Sequence, residues 1–256
     1  MNKVRFFLKF GKREHLESFV AGNLFCSNAI TFWEIEKKLR IKGQGDILEA
    51  GSRMFGQKMY MQELGTDKVT LFDLPSTALV HYEPAEKIPV FCMFSVFDSD
   101  CEYDVDGNVK IGLSDKTKCC IREHFPNADA VAIISNPEMF ISDVKNTIGC
   151  RIEHDCVHYY HIAEGLETNR SGQIAMDMEY LKYLVQDVPP VVENGKKTHS
   201  FLAKYVYRAL LCKDVFFSDE QEYRIVLPDE TITEGTLYPV KLNEVIPVVS
   251  LDDFMK

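Results

Sequence analysis

The sequence predicts an α+β fold: one domain over residues 1–256, built on a mixed, mostly antiparallel sheet flanked by helices. Three observations carry that expectation. Strand-like and helix-like segments follow one another along the chain without the regular rhythm of repeated βαβ units. Hydrophobic residues make up 46% and charged residues 27%, a balance able to bury a sizeable core. Neither GxGxxG nor GxxxxGK[ST] occurs, which leaves a doubly wound α/β sheet as the alternative rather than the first expectation.

Taken in order, VRFFLKF (4–10) is aromatic and β-branched enough for a first strand. GKREHLESFVAG (11–22) follows, with Leu16, Phe19 and Val20 at helical spacing and Gly22 where a C-cap falls. NLFCSN then reads as a short strand. Residues 36–66 are polar and punctuated by Gly, which predicts a long excursion over the surface of the kind that is often functional. Further strands are expected at Val69–Asp73, Val90–Phe97, Ala130–Ser135, Cys150–His161, Glu222–Leu227 and Tyr238–Leu242. Helices are expected at Asp115–His124 and at Pro137–Ile148, the latter capped by Asn136 with Pro137 at its first position. Residues 173–186 and 199–211 include helix, and Val188–Lys197 is a loop.

Composition narrows the function classes. The formal net charge of −10 repels nucleic-acid backbones over most of the surface, so wrapping of duplex DNA is not expected. The apolar runs are too short to span a bilayer, and the start of the chain has a three-residue apolar run (Phe6–Leu8) and no small-residue cleavage site. The expectation is a cytoplasmic protein without a membrane partner. Eight cysteines without a CxxC pair read as reduced thiols rather than a disulfide frame or a zinc ribbon.

Three segments could carry chemistry. In FFSDEQEYRIVL (216–227), Glu220 and Glu222 alternate as the chain enters an apolar strand. Period-two geometry would put both carboxylates on one face, about 7 Å apart at their α-carbons. Such a pair suits acid/base work or stabilisation of a developing cation. The plainer reading has both acids in solvent, with Arg224 as a partner on the same face. In RIEHDCVHYYH (151–161), His154, Cys156 and His158 alternate, but one strand cannot complete a tetrahedral zinc site, and no metal is expected there. DSDCEYDVDGN (98–108) departs from calcium-loop spacing and reads as an acidic hairpin turning at Asp106-Gly107.

The segments FFLKFGKREHLESFVAGNLFCSN, VFCMFS and DEQEYRI resemble, in that order, a widespread bacterial family of uncharacterised domains that open on a lysine-aromatic strand and end on an E-x-E-Y-R strand. The same order is similar to the three-part signature of the ADP-ribosyltransferases: a basic residue on the first strand, a Ser after an aromatic residue on a later one, and E-x-E opening a late strand. The resemblance implies Lys9 and Ser95 as residues that bind NAD, the substrate, and Glu222 and Glu220 as catalytic groups. Glu222 would face the cation that develops on the ribose, and Glu220 would orient or deprotonate the acceptor. First-strand Lys9 stands where that family carries Arg or His, and Phe94-Ser95-Val96 keeps one hydroxyl of a Ser-Thr-Ser motif.

The expectation that follows is an NAD-dependent ADP-ribosyltransferase-like enzyme. Its acceptor would be an intracellular macromolecule, protein or nucleic acid. The family resemblance further implies a toxin or antiviral-defence setting and a regulatory or antitoxin partner. Lys9, Ser95 and Glu222 should then share one cleft. Two alternatives belong to other classes: a non-catalytic sensor or interaction module of the same fold, and a metal-dependent hydrolase or nuclease built on the histidine strand.

Overall fold

The computed structural model describes residues 3–39, 45–56, 59–62, 65–72, 76–167, 174–193, 195–198 and 202–256. Its centre is a six-stranded sheet made of β1 (Val4–Gly11), β2 (Val90–Phe97), β3 (Ala130–Ile134), β4 (Glu153–Cys156), β5 (Glu222–Val226) and β6 (Val248–Ser250). The strands lie in the order β4-β5-β2-β1-β3-β6, and every neighbouring pair is antiparallel. The sequence VFCMFSVF explains why β2 is central: it is apolar on both faces, so only a position covered from both sides buries it.

The helices are α1 (Arg13–Val20), α2 (Ala29–Leu39), α3 (Asp115–His124), α4 (Pro137–Ile148) and α5 (Met178–Val185), with a short C-terminal turn at Leu251–Phe254. Helices α1 and α4 cover one face of the sheet, packing Leu16, Phe19, Phe140 and Val144 on Phe7, Met93 and Ile225. The other face carries Leu8, Phe94, Val96 and Val131 under Ile121 of α3 and Leu251. A third cluster joins Trp33 of α2, Tyr180 and Leu184 of α5 and Leu210 of the 3-10 segment Ala203–Leu211 to Val226. Both faces of one sheet are thus buried, the mixed α+β arrangement with a mainly antiparallel sheet that the sequence predicts.

Local signals act as their chemistry requires. Asn136 Oδ1 accepts the Met139 N–H at 3.0 Å, Pro137 opens α4, and Gly149 ends it at φ 73°. Ser114 caps α3 by accepting the Thr117 N–H at 3.1 Å. At Gly22, φ is 96° and an added Cβ would lie 2.2 Å from the Val240 carbonyl, so only glycine fits the turn after α1.

Several expectations need correction. The polar stretch beginning at residue 36 is not all surface excursion, because α2 continues to Leu39 and Gly45, Asp46, Leu48, Glu49 and Ala50 are buried. Positions 40–44, 57–58 and 63–64 of that stretch, and Asp73 of the next strand, lie outside the described residues. Cys150–His161 is two strands rather than one: β4 belongs to the central sheet, whereas His158–Tyr160 pairs in parallel with Cys212–Asp214. The Val188–Lys197 loop is a hairpin of Val191–Glu193 on Lys196–Thr198. The strand expected at Tyr238–Leu242 begins earlier, as Thr236–Pro239 paired with Asn23–Cys26. Among the described residues no helix is long and apolar enough to cross a membrane.

Candidate functional site

A cavity of about 230 Å³ opens between the sheet face formed by β1, β2 and β5, the end of α3, the 45–49 segment and the 3-10 turn Val215–Glu220. Aromatic side chains, Phe10, Phe94 and Phe217 among them, form part of its wall. Its polar lining comes from Asp46, Glu49, Lys213, Glu220, Glu222 and Arg224.

Backbone geometry at Gln221 decides how the two acids of EQE meet. The 3-10 turn ends at Glu220, Gln221 adopts a left-handed φ of 42°, and β5 begins at Glu222. The two carboxylates are therefore not alternate residues of one strand, as the sequence led one to expect. They converge instead on one ammonium: Lys213 Nζ donates to Glu220 Oε2 in a very short contact and lies 3.3 Å from Glu222 Oε2. Lys213 arrives from the Cys212–Asp214 strand, which Asp214 anchors by accepting the Ile162 and Ala163 N–H groups at 3.0 and 2.7 Å. A left-handed non-glycine residue between a half-buried acid and a buried one is strain of the kind found at functional sites.

Arg224 sits two residues further along β5 and is 1% exposed. Its guanidinium forks onto Glu49 at 2.5 and 2.9 Å and onto Glu222 at 2.9 and 3.1 Å, and a further N–H reaches the Leu210 carbonyl at 2.6 Å. Planar five-donor geometry suits Arg to this double bidentate role, and a Lys could not replace it. The solvent-facing reading of Glu222 is thereby overturned: the carboxylate is buried, and Arg224 is its partner within the protein.

The environments push the two acids apart. Burial drives the Glu220 carboxyl above the ordinary range, Lys213 opposing and the Glu222 charge adding to the rise. Burial acts on Glu222 too, but Arg224 and Lys213 outweigh it and hold that carboxyl well below the ordinary range. Burial would neutralise Lys213, yet Glu222 and Glu220 more than compensate and keep it charged. His124, at the end of α3, lies 3.4 Å from the other oxygen of Glu220. Two neighbouring carboxyls whose proton affinities are pushed in opposite directions are a pattern also found in acid/base pairs.

Of the residues implicated from sequence, Glu220 and Glu222 face this cavity. Lys9 borders it along β1, but its side chain leaves on the other face of the sheet: Phe7 pairs with Ser95, Lys9 is two residues further on, and it pairs with Ala132. The Lys9 ammonium donates to the Cys92 carbonyl at 2.6 Å and lies 4.7 Å from the centroid of the Phe91 ring. Ser95 does not join the two acids either. Glu222 is paired with Phe94 across β5 and β2, so those two share a face and Ser95 faces the other side. There it is fully buried, 4.0 Å from the Cys156 sulfur. One ligand cannot touch both Ser95 and Glu222 through an intact sheet, and the shared cleft expected for Lys9, Ser95 and Glu222 is corrected: the side chains of Lys9 and Ser95 leave on one face and Glu222 on the other.

The histidine strand is also divided. Cys156 lies opposite Tyr223, and His154 Nδ1 is 2.6 Å from the Tyr223 hydroxyl, on the Ser95 face. His158 belongs to the next strand, where Nε2 meets Asp155 at 3.3 Å. Among the described residues no group of three or more His, Cys, Asp or Glu side chains is arranged to hold a metal ion.

Asp46, Glu49, Lys213 and His124 were not singled out from sequence. Asp46 and Glu49 stand three apart in GQGDILEAG, within the segment whose irregularity did suggest function. Nothing in the letters of LLCKDVFF marks Lys213, which looks like an exposed lysine until its strand is paired. No protein-family model matches this chain, and no curated protein or solved structure matches it.

Proposed function

We propose that the chain is an enzyme that breaks an N-glycosidic bond and transfers the glycosyl group, with NAD the substrate that the sequence resemblance names. One observation carries the proposal: Glu220 and Glu222 share Lys213 in a single cavity while their proton affinities are pushed in opposite directions. The reading no longer rests on the three-part signature, since Ser95 lies across the sheet, and it assigns Ser95 no role in the reaction.

In this scheme the C–N bond between ribose and nicotinamide breaks, and its electron pair leaves with the nicotinamide. The ionised Glu222 carboxylate lies beside the resulting ribosyl cation and lowers its energy. Glu220 takes the proton from the acceptor hydroxyl as the new C–O bond forms, a role its raised proton affinity suits. Lys213 fixes both carboxylates, and Arg224 fixes Glu222. The acceptor is water or a hydroxyl of an intracellular macromolecule.

The test is release of nicotinamide from NAD by the wild-type chain. Glu220→Gln is expected to lower turnover about a hundredfold or more, the usual worth of a positioned acid/base group. The variant should remain folded by thermal unfolding, because Gln still accepts from Lys213. Turnover undiminished in folded Glu220→Gln would remove Glu220 from the mechanism. A second reading is favoured by the closure of the ion network upon itself, with Glu49, Glu222 and Arg224 satisfying one another. It is a binding module with the same cavity, and it predicts ligand binding with no nicotinamide release from the wild-type chain.

A further inference from the structure

Among the described residues, one carboxylate of the cavity stands outside the ion network. Both oxygens of Glu49 and both of Glu222 are taken by Arg224, and those of Glu220 meet Lys213 and His124. Asp46 differs. Its Oδ1 accepts the Leu48 N–H at 2.8 Å, while Oδ2 is fully buried and has no hydrogen-bond partner among the described residues. The residue is 4% exposed and lines the cavity. A carboxylate oxygen withdrawn from water without a donor is costly, and folded chains rarely keep one without use.

The backbone that presents Asp46 is built to hold it still. Gly45 packs so closely on α2 that an added Cβ would lie 2.5 Å from both the Phe32 carbonyl and the Glu36 nitrogen. The Ile47 N–H donates to Glu36 Oε2 at 2.5 Å, and His81 Nε2 meets the Ile47 carbonyl at 2.8 Å. The Trp33 indole N–H donates to the Glu49 carbonyl at 2.9 Å, and its ring stacks on His81 at 3.9 Å. Ala50 closes the segment in a left-handed conformation, φ 50°. Such preorganisation is what a recognition group requires.

The charge of the lining sets the class of ligand. Asp46, Glu49, Glu220 and Glu222 supply four acids against Lys213 and Arg224, both already engaged by those acids, with Lys9 at the edge on the Cys92 carbonyl and His124 beside Glu220. Phe10, Phe94 and Phe217 offer apolar wall for a flat body, and ring faces attract cations.

We propose that Asp46 is the recognition residue of this cavity and that the unpartnered Oδ2 receives an N–H of a compact, planar cation of the amidinium or protonated-heterocycle class. The inference shares its cavity with the proposed glycosyl transfer but none of its chemistry, since binding is read without turnover.

The Asp46 carboxyl also gives the binding a pH dependence. Burial first, and then the neighbouring Glu49 charge, raise it to about 7, against the pull of Lys213, the Leu48 N–H and Arg224. Among the described residues the other titratable groups around the cavity are Glu220, Glu222, His124 and Cys92, with Lys9 at its edge. A cation therefore meets a carboxylate above that pH and a neutral acid below it.

Benzamidine, benzamide and benzoate have nearly one shape and charges of +1, 0 and −1, which makes them suitable probes by calorimetry on the intact chain. Benzamidine is expected to bind at pH 8, benzamide about tenfold or more weakly, and benzoate not at all. Benzamidine affinity should fall as pH drops through about 7 in the wild-type protein, a measurement that needs no variant. Asp46→Asn should remove the preference for benzamidine over benzamide, while Asp219→Asn, outside the cavity, should leave it intact. Equal binding of benzamidine and benzamide, an affinity unchanged in folded Asp46→Asn, or no binding of any probe would each overturn the assignment. Benzamidine binding with no nicotinamide release would leave it standing and remove the transferase reading instead.

Discussion

A single arginine organises the candidate site. Arg224 is buried between Glu49 and Glu222, so each charge in the network depends on the others for its solvation. Removing one partner from such a set costs far more than the set contributes over an apolar substitute. Glu222→Gln is therefore expected to lower stability by about 1–3 kcal/mol at neutral pH, since Gln can still accept but leaves Arg224 and Lys213 short of one negative charge. The sign of its pH dependence is fixed. The folded-state carboxyl lies below its ordinary value of 4.5, so its stabilisation is present above that pH and fades as pH falls through the folded value. Urea titrations of wild type and Glu222→Gln should accordingly converge in acid. Curves that stay parallel down the pH scale would mean that the charge of Glu222 does not contribute. The sequence placed Arg224 beside Glu222 correctly, but only burial turns that neighbour into a structural partner.

At the scale of elements, the 45–50 segment shows what periodicity cannot read. The run has too few apolar residues to suggest burial, yet residues 45–50 lie against α2 with backbone groups bonded to Glu36, Trp33 and His81. Gly45 allows that approach. Gly45→Ala would place a methyl group 2.5 Å from two backbone atoms of α2. The expected cost is about 1–3 kcal/mol, the usual penalty of overpacking, together with weakened benzamidine binding because Asp46 follows in the chain. A variant with unchanged melting temperature and affinity would show that the segment can move away from α2 without consequence. By contrast, α4 was legible end to end, because Asn136 and Pro137 at its start, its apolar spacing and Gly149 after it are all local signals.

For the whole molecule, the sheet is a partition. Lys9, Ser95 and the two acids of EQE occur in the order that suggested one shared site, but order along the chain says nothing about which face of a sheet each residue takes. Ser95 packs by Cys156 on the side covered by α4, while Glu222 faces the cavity. Ser95→Ala is expected to leave both nicotinamide release and benzamidine binding unchanged. A loss of either with the fold intact would mean that the two faces communicate.

The sequence by itself determined the α+β class, the strand at Val90–Phe97, the helix at 115–124, the capped helix at 137–148, and the choice of the EQE segment as a candidate site. These are local properties, set by apolar period, caps and turn chemistry within a dozen residues. Only the tertiary structure decided that Glu220 and Glu222 meet through Lys213, that Arg224 joins Glu49 across 175 positions of chain, that Asp46 is buried with an oxygen unpartnered among the described residues, and that Ser95 belongs to the other face. Each of those facts depends on strand register and on which side of a sheet a segment packs, and a shift of one residue in register reverses the face of every side chain in a strand.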